Sequence, residues 1–145
     1  MYGHVFQVFL TDDDLRAVFT NVRRLLSLDG RLAFETRNPL VREWDAWNAD
    51  VSRERLDVPG VGPVDVEYQV IVEALPLVTF EARFRLVDDD ETLVSTSTLR
   101  FWSRHEVDAH LRNAGLEPLQ WLGDFDGSPL SDTAPEIIAM SRRVD

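Results

Sequence analysis

The sequence contains no cysteine, which excludes disulfides, thiolate nucleophiles and cysteine–zinc sites. It contains no lysine either. All 15 basic residues are arginine, so a Schiff base on this chain is excluded. No apolar run approaches the ~20 residues that a helical membrane span needs. The N-terminus shows no basic region followed by an apolar stretch and a cleavage site, so no secretory signal is read and a cytoplasmic location is expected. Glycine is sparse, at seven residues, and no set of them is spaced G-x-G-x-x-G. Gly60-Val61-Gly62 is followed by Pro63 and strand-like alternation instead of a helix, so it is no phosphate cradle. Positive charge is in deficit: the formal net charge is −11. Such a surface repels phosphate backbones, so no nucleic-acid partner is expected, and the acidity serves solubility.

What is present is a chain of 145 residues, 44% hydrophobic and 28% charged. That suits one soluble domain, residues 1–145, with a modest core. Residues 1–40 read as loop, helix and strand. Thr11 to Asp14 forms a capping box, flanked by Leu10 and Leu15 as a hydrophobic staple. Leu15, Val18, Phe19, Val22, Leu25 and Leu26 recur at helical spacing, which predicts a helix over Asp12–Leu28. Gly30 suits a left-handed helix stop. A strand over Arg31–Arg37 follows.

Residues 64–102 alternate with period two: Val64, Val66, Tyr68, Val70 and Val72, then Val78, Phe80, Ala82, Phe84 and Leu86, then a run rich in threonine. Short connections make this a three-stranded antiparallel meander. Residues 103–145 return to α/β character. Ser103 to Glu106 is a second capping box; Val107, Leu111 and Ala114 line one helix face, and Gly115 stops it. Strands are expected over 116–122 and 136–142. Residues 41–63 are the least regular stretch. The expected class is α+β: a mixed sheet with two main helices (1–40 and 103–145) and an antiparallel insertion at 64–102.

No metal site is expected. Asp88 to Glu91 is a solvated turn, and Asp124 and Asp126 lack the remaining ligands of a calcium loop. His105 and His110 are five apart, on different helix faces, and with His4 form no metal set.

Two stretches carry a resemblance. Gly3-His4-Val5-Phe6-Gln7 with its helix, then Leu28-Asp29-Gly30-Arg31-Leu32-Ala33-Phe34-Glu35-Thr36-Arg37-Asn38-Pro39, resembles the region after the fourth strand of class I S-adenosylmethionine-dependent methyltransferases. Thr98 to Ser103, with its helix ending Asn113-Ala114-Gly115-Leu116, and the terminal Ile137 to Arg143, are similar to that family's closing segments. The order of several weak motifs carries the likeness. It implies the C-terminal half of a truncated Rossmann-like fold. The family's glycine-rich cofactor turn is missing, and Met1 falls about where the fourth strand should end. The resemblance therefore implies S-adenosylmethionine as the family cofactor, with none bound by this chain alone.

By position in that family, Phe6 and Gln7 are the residues expected near the cofactor, with Phe6 also a natural core residue. Arg37 and Asn38 end a strand, where open α/β sheets place ligands; a turn before Pro39 is the alternative. Trp44 and Trp47, at i and i+3, share a face and are read as substrate-wall candidates or as packing. No catalytic base is nominated. Two readings stay open: the substrate-side portion of a methyltransferase acting on a small molecule, or a non-enzymatic, self-associating interaction domain. A homodimer through the meander is expected under both, because a missing strand neighbour leaves an edge that proteins rarely keep open.

Overall fold

The computed structural model describes residues 1–144. In chain order the elements are α1 (Asp12–Leu25), β1 (Arg31–Arg37), α2 (Ala49–Ser52), β2 (Glu54–Val58), β3 (Gly62–Ala74), β4 (Leu77–Leu86), β5 (Glu91–Arg100), α3 (Arg104–Asn113), β6 (Leu116–Leu122) and β7 (Glu136–Arg143). They fall into two compact units, residues 1–42 with 100–144, and residues 43–99. Each is described by itself.

The first unit holds a three-stranded sheet in the order β1-β7-β6. Both pairings are antiparallel, with Phe34 opposite Ala139 and Trp121 opposite Ala139 on the other side. The sheet expected to be mixed thus has only antiparallel pairs among the described residues. The strand reading from sequence did not fix pairing, and β7 enters between the two other strands.

The core lies where α1 and α3 meet the Leu32 and Phe34 face of β1. Phe6, Leu15, Phe19, Phe34, Val107 and Leu111 are fully buried there. Phe6 stacks on Phe34 at 4.4 Å, and Phe19 lies 5.6 Å from Phe34. Val22 and Leu26, expected in the core, are only partly buried at its margin. Helix α1 ends at Leu25, three residues short of the expected Leu28, because Leu26 turns extended with φ −74° and ψ 127°. Gly30 is not left-handed. It is needed for room: a Cβ there would lie 2.8 Å from the Leu26 side chain.

Both capping boxes form. Thr11 Oγ1 accepts from Asp14 N, and Ser103 Oγ accepts from Glu106 N. In the second box, burial pushes the Glu106 carboxyl up. Hydrogen bonds from Ser103 and the Arg100 guanidinium outweigh that and hold it below the usual carboxylate range. A depressed carboxyl contributes stability that is complete above the unfolded value, about 4.3, and is lost as pH falls through the folded value. Ser103→Ala is therefore expected to cost about 1 kcal/mol near neutral pH. It should also shrink the acid-side loss of stability below pH of about 4.3. Chemical denaturation across that range reads both; a variant with an unchanged acid limb would show that the box is not the cause.

The second unit is a four-stranded antiparallel sheet in the order β2-β3-β4-β5. The sequence reading had three strands and left 41–63 irregular. The structure adds β2, which pairs Arg55 with Asp65 and Leu56 with Val64. Every residue of β2 up to Asp57 is exposed, so its pattern carried little apolar signal. Strands β3 and β4 pair Val66 with Phe84, Tyr68 with Ala82 and Val70 with Phe80. The register shifts between Val70 and Val72, so the expected alternation breaks there and Val72 stands half-exposed. The opposite face carries a charge ladder: Arg55 to Asp65 at 2.6 Å and Arg53 to Glu67 at 2.8 Å.

Candidate functional site

The C-terminal end of β1 gathers a buried polar cluster in the first unit. Strand alternation puts Glu35 and Arg37 on one face of β1. The register sets Arg37 opposite Glu136 of β7, so Glu136 shares that face, diagonal to Glu35. Two carboxylates are thereby fixed by strand pairing, and both are buried, at 1% and 8% exposure.

His4 bridges them. Its backbone N–H donates to Glu35 Oε1 at 2.8 Å, and its ring Nε2 lies 2.8 Å from Glu136 Oε1. The backbone of His4 is left-handed, with φ 57° and ψ 20°, an unusual state for a non-glycine residue. Held by the bond to Glu35, this conformation aims the ring at Glu136. Backbone strain of this kind clusters at functional sites. The second oxygens of Glu35 and Glu136 are buried without a hydrogen-bond partner. Against an ionised Glu136, which only accepts, Nε2 would donate and Nδ1 would be the ring's accepting nitrogen. The half-buried ring is thus oriented by a buried carboxylate, an arrangement that a general base can use.

Gln7 and Arg37, predicted separately, meet here. Arg37 Nη1 donates to Gln7 Oε1 at 2.7 Å, and the Gln7 amide reaches Arg100 O at 3.5 Å. Gln7 is fully buried. Phe6 lies in the aromatic core, touching Phe9, Phe19, Phe34 and Trp102. Asn38 is buried; its amide donates to Ala134 O at 2.8 Å and Ser131 O at 3.2 Å, and its Oδ1 accepts from Leu40 N. It clamps the loop before β7 and lines a cavity of about 560 Å3 on the other face of the sheet. Trp44 and Trp47 belong to the second unit. Trp44 is buried in a 3-10 turn, and Trp47 packs on Phe80 at 4.8 Å.

The sequence reading missed His4, Glu35 and Glu136 as a set. Its available signal was an acid inside each apolar strand, Leu32-Ala33-Phe34-Glu35 and Glu136-Ile137-Ile138-Ala139. Among the described residues no group of three or more metal-ligating side chains is placed to hold a metal ion. Among them, no helix is long and apolar enough to cross a membrane.

For the cofactor implied by the resemblance, the residues present do not form the main cradle. A glycine turn opening a helix would leave free N–H groups for a ligand. Here the helices α1 and α3 each open on a box closed by its own side chains, Thr11 with Asp14 and Ser103 with Glu106.

No protein-family model matches the sequence, and no curated protein matches it. Solved structures do. An S-adenosylmethionine-dependent methyltransferase from Clostridium acetobutylicum superposes with a TM-score of 0.78 at 14% identity, over 98% of this chain and 56% of its own. The CcbJ methyltransferase from Streptomyces caelestis gives 0.77 at 14% identity, over 99% and 55%. The sugar N-methyltransferase KedS8 from Streptoalloteichus gives 0.68 at 15%, over 99% and 54%. The chain therefore spans little more than half the length of the structures it matches, and over that span it has the fold of S-adenosylmethionine-dependent methyltransferases.

Proposed function

We propose that this chain is the substrate-side portion of an S-adenosylmethionine-dependent methyltransferase acting on a small molecule. The observation that supports the reading best is His4, strained onto Glu35 and paired with buried Glu136 at the carboxyl end of β1. Methyl transfer needs in-line positioning and, for an amine or hydroxyl acceptor, removal of one proton. His4 is the group to accept that proton. Glu136 holds the ring and offsets the charge that forms on it. Arg37 and Gln7 shape the adjoining wall.

Cofactor binding falls to sequence outside this chain. Calorimetry of the 145-residue chain with S-adenosylmethionine is expected to show no binding tighter than about 1 mM. The same chain expressed with any in-frame sequence encoded upstream of Met1 is expected to bind in the micromolar range. A low micromolar Kd for the chain alone, lost on Gln7→Ala, would overturn this division of labour. Absence of binding in both forms would remove the enzyme reading and leave the interaction domain.

A homodimer is part of the proposal. Strand β5 is an edge strand, and its run from Thr92 to Leu99 holds no charge and no proline, the usual guards of an edge. Leu93 and Val94 there are half-exposed. Light scattering at micromolar concentration is expected to give twice the chain mass; a single species at 16.6 kDa would refute it.

A further inference from the structure

We propose that the cavity beside α3 is a binding site for a small zwitterion with an apolar body, such as an apolar amino acid. The cavity holds about 560 Å3, within the range of small-molecule sites. It lies in the first unit. Ile137 lines it, and Ile137 points to the face opposite Glu136, so this is not the His4 cluster. Pro39, Leu40, Trp121 and Ile137 give it apolar walls.

Two opposite charges line the same cavity, Arg104 and Asp132. The chain is acidic, and most other arginines among the described residues hold hydrogen bonds or ion pairs. Arg104 has none there; its guanidinium rests instead over the Trp121 ring at 5.0 Å. The Asp132 carboxylate has no partner among the described residues either; only its backbone carbonyl is used, by Asn38. The two do not pair with each other. A cation and an anion left unclaimed on one apolar cavity match a ligand that carries both signs. Its carboxylate would meet Arg104, its ammonium Asp132, and its apolar body the Trp121 side. The walls are preorganised, because the Asn38 amide pins the loop carrying Asp132 through Ser131 O and Ala134 O. A pinned loop lowers the ordering cost of binding.

The inference rests on this geometry and not on the methyltransferase reading. L-phenylalanine is the probe, with phenylacetate and phenethylamine as single-charge controls. Calorimetry on the full chain is expected to give saturable binding of L-phenylalanine with a Kd of about 1 mM or below. Each control should bind at least about tenfold more weakly. Arg104→Gln should weaken L-phenylalanine about tenfold and leave phenethylamine unchanged; Asp132→Asn should weaken it similarly and leave phenylacetate unchanged. Both side chains are exposed and form no hydrogen bond or ion pair among the described residues, so unchanged thermal unfolding is expected to accompany the losses. His4→Asn should leave binding intact. No saturable heat with L-phenylalanine, equal binding of the three compounds, indifference to both cavity substitutions, or loss on His4→Asn would each overturn the proposal.

Discussion

Phe34→Ala is expected to destabilise the first unit by about 3–5 kcal/mol, the largest stability effect of any single substitution considered for this chain. Phe34 is fully buried and sits between Phe6, stacked at 4.4 Å, and Phe19 at 5.6 Å. Removing the ring forfeits its transfer energy and leaves a cavity that these two buried rings cannot close. Strand β1 cannot shift to fill it, because seven register pairs tie it to β7. Domain stabilities of about 5–15 kcal/mol make such a loss large. The effect should reach the site as well, since Glu35 is the next residue on the same strand. Denaturant unfolding followed by tryptophan fluorescence reads the change; a loss under about 1 kcal/mol would mean that the aromatic stack is not the core. Phe34→Leu, which keeps most of the volume, should recover much of it.

Under the proposed methyltransferase reading, in the chain expressed with any in-frame sequence encoded upstream of Met1, His4→Asn is expected to lower methyl transfer by about 10^2–10^4-fold while leaving S-adenosylmethionine affinity within about twofold. That range is what a positioned general base contributes. Asparagine tolerates the left-handed backbone that His4 adopts, so the bond from residue 4 N–H to Glu35 can persist while the basic nitrogen is lost. Glu136→Gln tests the partner. It keeps a hydrogen-bonding oxygen near Nε2 but removes the charge that offsets a protonated ring, so a loss in the same step, smaller in size, is expected. A His4→Asn enzyme with full turnover would leave His4 a structural link between two strands. A variant that loses cofactor affinity instead would place His4 in the cofactor site.

Beside the His4 cluster, Arg37 and Gln7 are hydrogen-bonded to each other, and Gln7 also to Arg100 O. This favours a rigid polar wall over an adaptable apolar one. Substitution of Arg37 is therefore expected to act partly through Gln7, and double substitution should be less than additive.

The helices were legible in the sequence because their signals are local. Thr11 with Asp14, and Ser103 with Glu106, are capping boxes at fixed spacing, and the apolar residues that follow recur every three to four positions. Strands β1, β3, β4, β5, β6 and β7 were legible for the same reason, and over this span the chain has the fold of solved methyltransferases. Charge and composition settled which chemistry is absent: no thiol, no lysine amine. The pairing of strands was not legible. That β7 lies between β1 and β6, that exposed β2 joins the second sheet, and that β3 slips register after Val70 are set by contacts distant in sequence. The site shows the same division. Gln7, Arg37 and Asn38 could be named one at a time from their places at element ends. His4 and Glu136 are 132 residues apart, and nothing in either one's neighbourhood names the other. Only the antiparallel insertion of β7 beside β1 sets Glu136 diagonal to Glu35 and lets one strained histidine hold both, because side-chain chemistry is written locally and proximity is decided by the packing of the whole unit.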